Sequence, residues 1–130
     1  MRPTQADDAA DLAPPRVAAS RTVLSTQLVI ERILVGEVDV PLRHGTLVVA
    51  ARVESARLDW EVVVHSLQPV AIAQEAHRLQ LRCLVGHDRN GKPTMIELSG
   101  PAFLVRSVGE THVFRGDGAL DGFDIGLLAG

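Results

Sequence analysis

From Thr46 to Phe114 apolar and polar residues alternate with a period of two, and turn-forming dipeptides interrupt the pattern at short intervals. Only an extended chain puts every second side chain on one face, so this stretch calls for strands joined by tight turns. Leu47, Val49, Ala51 and Val53 share one face, and Leu58, Trp60, Val62 and Val64 do the same on the next run. Glu54 to Arg57, between them, is a connection of hairpin length. Leu79, Leu81, Cys83 and Val85 then alternate with Arg78, Gln80 and Arg82, which describes a strand with one buried and one wet face.

Turn chemistry predicts the register of the second half. Asn90-Gly91 suits a type I′ hairpin and sets Val85 opposite Ile96 and Cys83 opposite Leu98. Gly100-Pro101 offers a second two-residue turn, which places Ile96 beside Val105 and Leu98 beside Phe103. Gly109-Glu110 fits a type II′ turn and brings Val105 beside Phe114. Together these turns predict a four-stranded meander with Val85, Ile96, Val105 and Phe114 in one core-facing row.

Elsewhere the signals are more local. Val29, Ile30, Ile33 and Val35 favour a strand over Leu28 to Val35, although Ser25 and Gly36 would also suit the two ends of a short helix. Pro69 fits the first turn of a helix, and the following residues predict one short helix near 69–77. Residues 1–20, rich in Ala, Asp and Pro, read as a disordered tail ahead of one domain over 21–130. Leu120, Phe123, Ile125, Leu127 and Leu128 interrupt a Gly- and Asp-rich end and are expected to cover a sheet edge or a partner subunit. The fold class is therefore mainly all-β: an antiparallel, meander-rich barrel or sandwich of six to eight strands with one short helix.

Composition narrows the function classes. The 130 residues carry a net charge of −3, and only Trp60, Phe103, Phe114 and Phe123 are aromatic, so nucleic acid is not an expected partner. Cys83 is the lone cysteine, which leaves no intrachain disulfide and no zinc cluster. No run approaches the ~20 apolar residues of a membrane helix, and the acidic N-terminus lacks the apolar core of a signal peptide. A reducing cytoplasm is the expected location. The preference for arginine, with Lys92 the lone lysine, suggests a GC-rich bacterial genome.

The predicted register also assembles a candidate site. His87, Thr94, Ser107 and His112 form the next core-facing row and would line one mouth of the barrel, where imidazole and hydroxyl groups orient ligands or transfer protons. In that row His87 and His112 stand three strands apart, roughly 14 Å at ~4.8 Å per strand, so no shared metal is expected. Asp59, Glu61 and His65 read as a solvated outer face, and Arg52, Arg82, Arg106 and Arg115 as its basic counterpart. His87 to Gly91 lacks the spacing of a calcium loop, and neither a nucleophile elbow nor a phosphate-binding glycine loop occurs. The expected function is a non-enzymatic binding or assembly domain working through a barrel mouth or an apolar sheet edge, as a homo-oligomer. Its expected partner is a second copy, another protein or a small apolar ligand, without a cofactor. The alternative is a small barrel isomerase, cyclase or hydrolase with His112 or His87 as general acid/base and Ser107 or Thr94 orienting the substrate.

Overall fold

The computed structural model describes residues 23–52 and 57–128. Its strands are β1 (Val23–Val35), β2 (Val38–Val40), β3 (Leu42–Arg52), β4 (Leu58–Ser66), β5 (Ala76–His87), β6 (Pro93–Val108) and β7 (Thr111–Gly116), followed by a 3-10 turn at Ile125–Leu128. They form one antiparallel sheet in the order β2-β1-β3-β4-β7-β6-β5, and β1 pairs with β5 to close it. The result is a closed six-stranded barrel with β2 added outside the ring. Closure removes almost every exposed sheet edge. The expected tail, Val53 to Ala56 and the Arg52 side chain lie outside the described residues.

The alternating runs do what their period requires. Leu47, Val49, Trp60, Val62 and Val64 point inward and are buried, as are Ile30, Ile33 and Val35 of β1. Burying a side chain of this size stabilises by ~1.5–3 kcal/mol. With six strands the ring is narrow, and Leu79, Leu81, Leu98, Leu104 and Phe114 complete its packed interior. Pro41, which has no N–H for a ladder, separates β2 from β3, and its carbonyl accepts the Leu67 N–H at 2.8 Å.

Three expectations about the chain's path are corrected. There is no helix near 69–77. Val70 and Ile72 are half-buried while Ala71 and Ala73 are exposed, a period-two arrangement that packs an extended segment against the core. That segment is tied to β6 by the Leu104 N–H on the Glu75 carbonyl (3.1 Å) and the Gln74 Nε2 on the Val105 carbonyl (2.9 Å). A helix this short gains too little from its own hydrogen bonds to displace those contacts.

Gly100-Pro101 is not a turn either, because β6 runs straight through it for 16 residues. Gly100 serves close approach. A Cβ there would collide with the Ala119 carbonyl oxygen and crowd the Trp60 ring.

The third correction is register. β5 and β6 pair Cys83 with Ile96 and Leu81 with Leu98, two residues away from the predicted alignment. Asn90 does not take a positive φ, so the type I′ turn is not made; only Gly91 does, at +80°. The connection is organised instead by Asp88, whose Oδ1 accepts the N–H groups of Asn90 (2.8 Å) and Lys92 (2.9 Å). This longer loop moves the register by one residue, and a β-bulge between Leu84 and Gly86 moves it by another. A second bulge, between Leu104 and Arg106, puts Leu104 rather than Val105 opposite Phe114. Val105 and Phe103 therefore face outward. The Gly109-Glu110 turn is formed as expected, with Val108 paired to Thr111 and Gly109 at φ +61°.

The barrel has two ends. One carries the β3–β4 and β5–β6 connections; the other carries Gly36-Glu37, residues 67–75 and Gly109-Glu110. After Gly116 the chain fills the gap between β4 and the upper half of β6: Trp60 Nε1 donates to the Gly118 carbonyl at 2.9 Å, and Ser99 and Asp121 exchange backbone hydrogen bonds of 3.0 and 2.6 Å. The 3-10 turn then packs on β1 and β3, and β3 lies opposite β6 in the ring. Leu120 and Leu128 are buried by this crossing, while Ile125 remains 68% exposed. The C-terminal segment thus covers a sheet edge, as expected, and closes the upper mouth.

Candidate functional site

Of the expected mouth row, the fold brings together Ser107 and His112 and separates them from His87 and Thr94. Thr94 and Ser107 lie near opposite ends of β6, roughly 40 Å apart along the strand at ~3.3 Å per residue. His87 and Thr94 flank the β5–β6 connection at the upper end, where both are exposed. Ser107 faces His112 across the β6–β7 hairpin at the lower end. The row depended on a turn at Gly100-Pro101 that would have folded β6 back on itself.

At the lower mouth, Ser107 Oγ and His112 Nδ1 share a hydrogen bond of 2.8 Å. His112 alternates with Phe114 along β7, so its ring points into the barrel and is only 1% exposed. Its Nε2 is buried without a hydrogen-bond partner. Burial disfavours the charged imidazolium and pulls the His112 pKa below its ordinary value. The ring is consequently held neutral near pH 7. Ser66, two residues beyond Val64, which pairs with His112, is also buried, with its hydroxyl donating to the carbonyls of Gln68 and Glu110. His77 approaches Phe114 edge-on, with ring centres 6.4 Å apart. These groups stopper the lower end, and the imidazole nitrogen left without a partner is out of reach of solvent.

Concave space lies on the outside. A groove of about 550 Å³ runs over β3, β4 and β7, lined by Val48, Ala50, Asp59, Trp60, Glu61, Arg115 and Gly116. The expected acidic and basic outer rows meet here, with Arg115 3.8 Å from Glu61. A smaller hollow of about 360 Å³ lies between the start of β4 and the C-terminal segment, at Arg57, Leu58, Gly118, Ala119 and Leu120. Neither includes any of the four expected site residues. Farther round the ring, Arg82 pairs with Glu97 at 2.7 Å and Glu31 at 3.9 Å.

Two outward features were missed in the sequence. The lower half of β6 exposes Phe103, Val105 and Val108, at 44%, 44% and 59%. Phe103 is one of only four aromatic residues in the chain, and the expected Gly100-Pro101 turn, which set it beside Leu98, made it look like core. The other is a histidine pair, His44 and His65, which face each other across β3 and β4. Cys83 is in the core, and burial together with the charge of Glu97 pushes its thiol up to about 12, so it stays an unreactive apolar group. No helix among the described residues is long and apolar enough to cross a membrane. Comparison with protein-family models, curated proteins and solved structures gives no match to this chain.

Proposed function

We propose that this is a non-enzymatic assembly domain of the bacterial cytoplasm, which associates with a second copy of itself through the outer face of β6. The observation that carries this reading is the contrast between the two sides of the wall. The barrel interior is filled by side chains and one mouth is crossed by the C-terminal segment, while Phe103, Val105 and Val108 stand exposed together on one half-strand. Exposed apolar groups clustered on one surface favour association with another surface. Arg115, opposite Phe103, and Arg106 border the patch and supply a polar rim. Sedimentation equilibrium tests the proposal: wild-type protein sediments as a dimer at micromolar concentration and Phe103→Asp as a monomer. A monomeric wild type overturns self-assembly and leaves another protein or a small apolar ligand as the occupant of the patch.

The Ser107–His112 hydrogen bond favours a second reading, a small barrel enzyme in which the imidazole takes a proton from the serine hydroxyl or from a substrate held by it. Against it, no acid orients His112 Nε2, and the imidazolium formed in such a step would be buried and unpaired. Loss of a measured turnover in both Ser107→Ala and His112→Ala, with unchanged stability, supports this reading over the first.

A further inference from the structure

We propose that His44 and His65 form a two-histidine chelate for a divalent transition-metal ion, with Cu(II) the tightest-bound. The pair owes its position to a β-bulge between Leu42 and His44, which sets His44 directly opposite His65 on the antiparallel ladder. Side chains opposite each other in such a pair have Cβ atoms ~5 Å apart. The rings stack with centres 5.7 Å apart and planes 26° from parallel. An imidazole centre lies ~3.2 Å from an ion bound to its nitrogen, given metal–nitrogen bonds of ~2.0–2.1 Å. Ring centres at this spacing therefore suit one shared ion, and the soft χ2 torsion of histidine supplies the rotation that aims both nitrogens at it.

One nitrogen of each ring is already occupied. His65 Nδ1 lies 2.9 Å from Thr111 Oγ1, and His44 Nε2 lies 3.3 Å from Thr46 Oγ1. When each threonine oxygen accepts the N–H of its ring, the lone pairs sit on His65 Nε2 and His44 Nδ1. A hydrogen-bond partner behind a metal-binding imidazole selects its tautomer in this way. Arg43, beside His44, pairs with Glu110 at 3.6 Å. No third His, Cys, Asp or Glu completes a cluster among the described residues. Water then fills the remaining positions, and a two-imidazole site of this kind ranks divalent ions with copper first.

Calorimetric titration of the full-length protein with Cu(II), in a weakly coordinating buffer, tests the assignment. One ion per chain is expected, with an electron paramagnetic resonance spectrum showing two nitrogen ligands. His44→Ala and His65→Ala should each weaken binding by more than the roughly tenfold loss expected for Thr111→Val. His87→Ala, at the other end of the barrel, should leave it unchanged. All of these side chains face outward, and unchanged Trp60 emission checks that the variants are folded. If wild type takes up no ion, or if His44→Ala and His65→Ala bind as wild type does, the stack is only a cross-strand packing contact and the proposal fails.

Discussion

Gly116→Ala separates two physical effects of opposite sign. Gly116 ends β7 and does not have a positive φ, so alanine is conformationally acceptable there. On backbone grounds the substitution should stabilise the protein, since glycine in a strand is worse than alanine by ~0.5–1 kcal/mol. Packing says otherwise. A Cβ on residue 116 would collide with Nε1, Cε2 and Cδ2 of Trp60. The indole has little freedom to retreat: it is 3% exposed, and Nε1 is bonded to the Gly118 carbonyl at 2.9 Å. Moving it would surrender that bond, ~1 kcal/mol, in addition to the ~1–3 kcal/mol typical of overpacking. Overpacking should win by roughly 2 kcal/mol, which lowers Tm by about 8 °C at this chain length. Urea unfolding followed by circular dichroism measures the change, and Trp60→Leu completes a double-mutant cycle. In the Trp60→Leu background the collision is gone and the backbone gain of ~0.5–1 kcal/mol remains, giving a coupling of about 3 kcal/mol. A neutral or stabilising Gly116→Ala, or a penalty that persists without the indole, would refute the seating of Trp60 against β7.

Four further outcomes follow from the same geometry. His112→Leu removes a buried nitrogen that has no partner, and should raise stability by ~1 kcal/mol in chemical denaturation at pH 7.5; a loss of several kcal/mol would mean that Nε2 is satisfied in the folded protein. Because the folded His112 pKa lies below its ordinary value of 6.5, the unfolded chain binds the proton more readily, so stability is present above about pH 6.5 and falls as the pH drops towards the folded pKa; His112→Leu should flatten that part of the stability–pH curve. Gly109→Ala forces a Cβ into φ +61° and should cost ~1–2 kcal/mol by thermal melting, more than Gly109→Asn. Cys83 should resist thiol reagents at pH 8 until the protein unfolds, and fast labelling of the native state would contradict its burial.

The barrel was legible where one cause acted alone. In Leu47 to Val49 and Trp60 to Val64 the burial of one face is the only demand on the chain, and a period of two meets it in a single way. The Gly109-Glu110 turn was legible because a type II′ hairpin needs a positive φ at its first central residue, and glycine supplies it without strain. Gly36-Glu37 repeats that dipeptide, with φ +62°, and joins Val35 to Val38 by the same kind of hairpin. A glycine there suits a helix end as well as a hairpin, and the strand expected over Leu28 to Val35 carries no turn of its own. The Gly36-Glu37 hairpin was the one overlooked turn that local chemistry alone would have revealed.

Gly100-Pro101 failed for a different reason, and that failure explains the candidate site. Glycine has two uses in a strand-rich chain, bending the backbone and admitting a neighbour at close range, and local sequence does not say which applies. Here the neighbours are the Trp60 ring and the Ala119 carbonyl, 40 residues before and 19 residues after Gly100 in the chain (100 − 60 and 119 − 100). Only the closed barrel brings them together. Bulges hide in the same way, since the extra residue in β5 or β6 falls inside a strand, between hairpin neighbours, where no turn dipeptide marks it. Each such event alters which residues meet across the sheet. The mouth row required three turns and no bulge to be right at once, whereas Ser107 and His112 required one turn. The single-turn contact is the part of the site that the fold assembles.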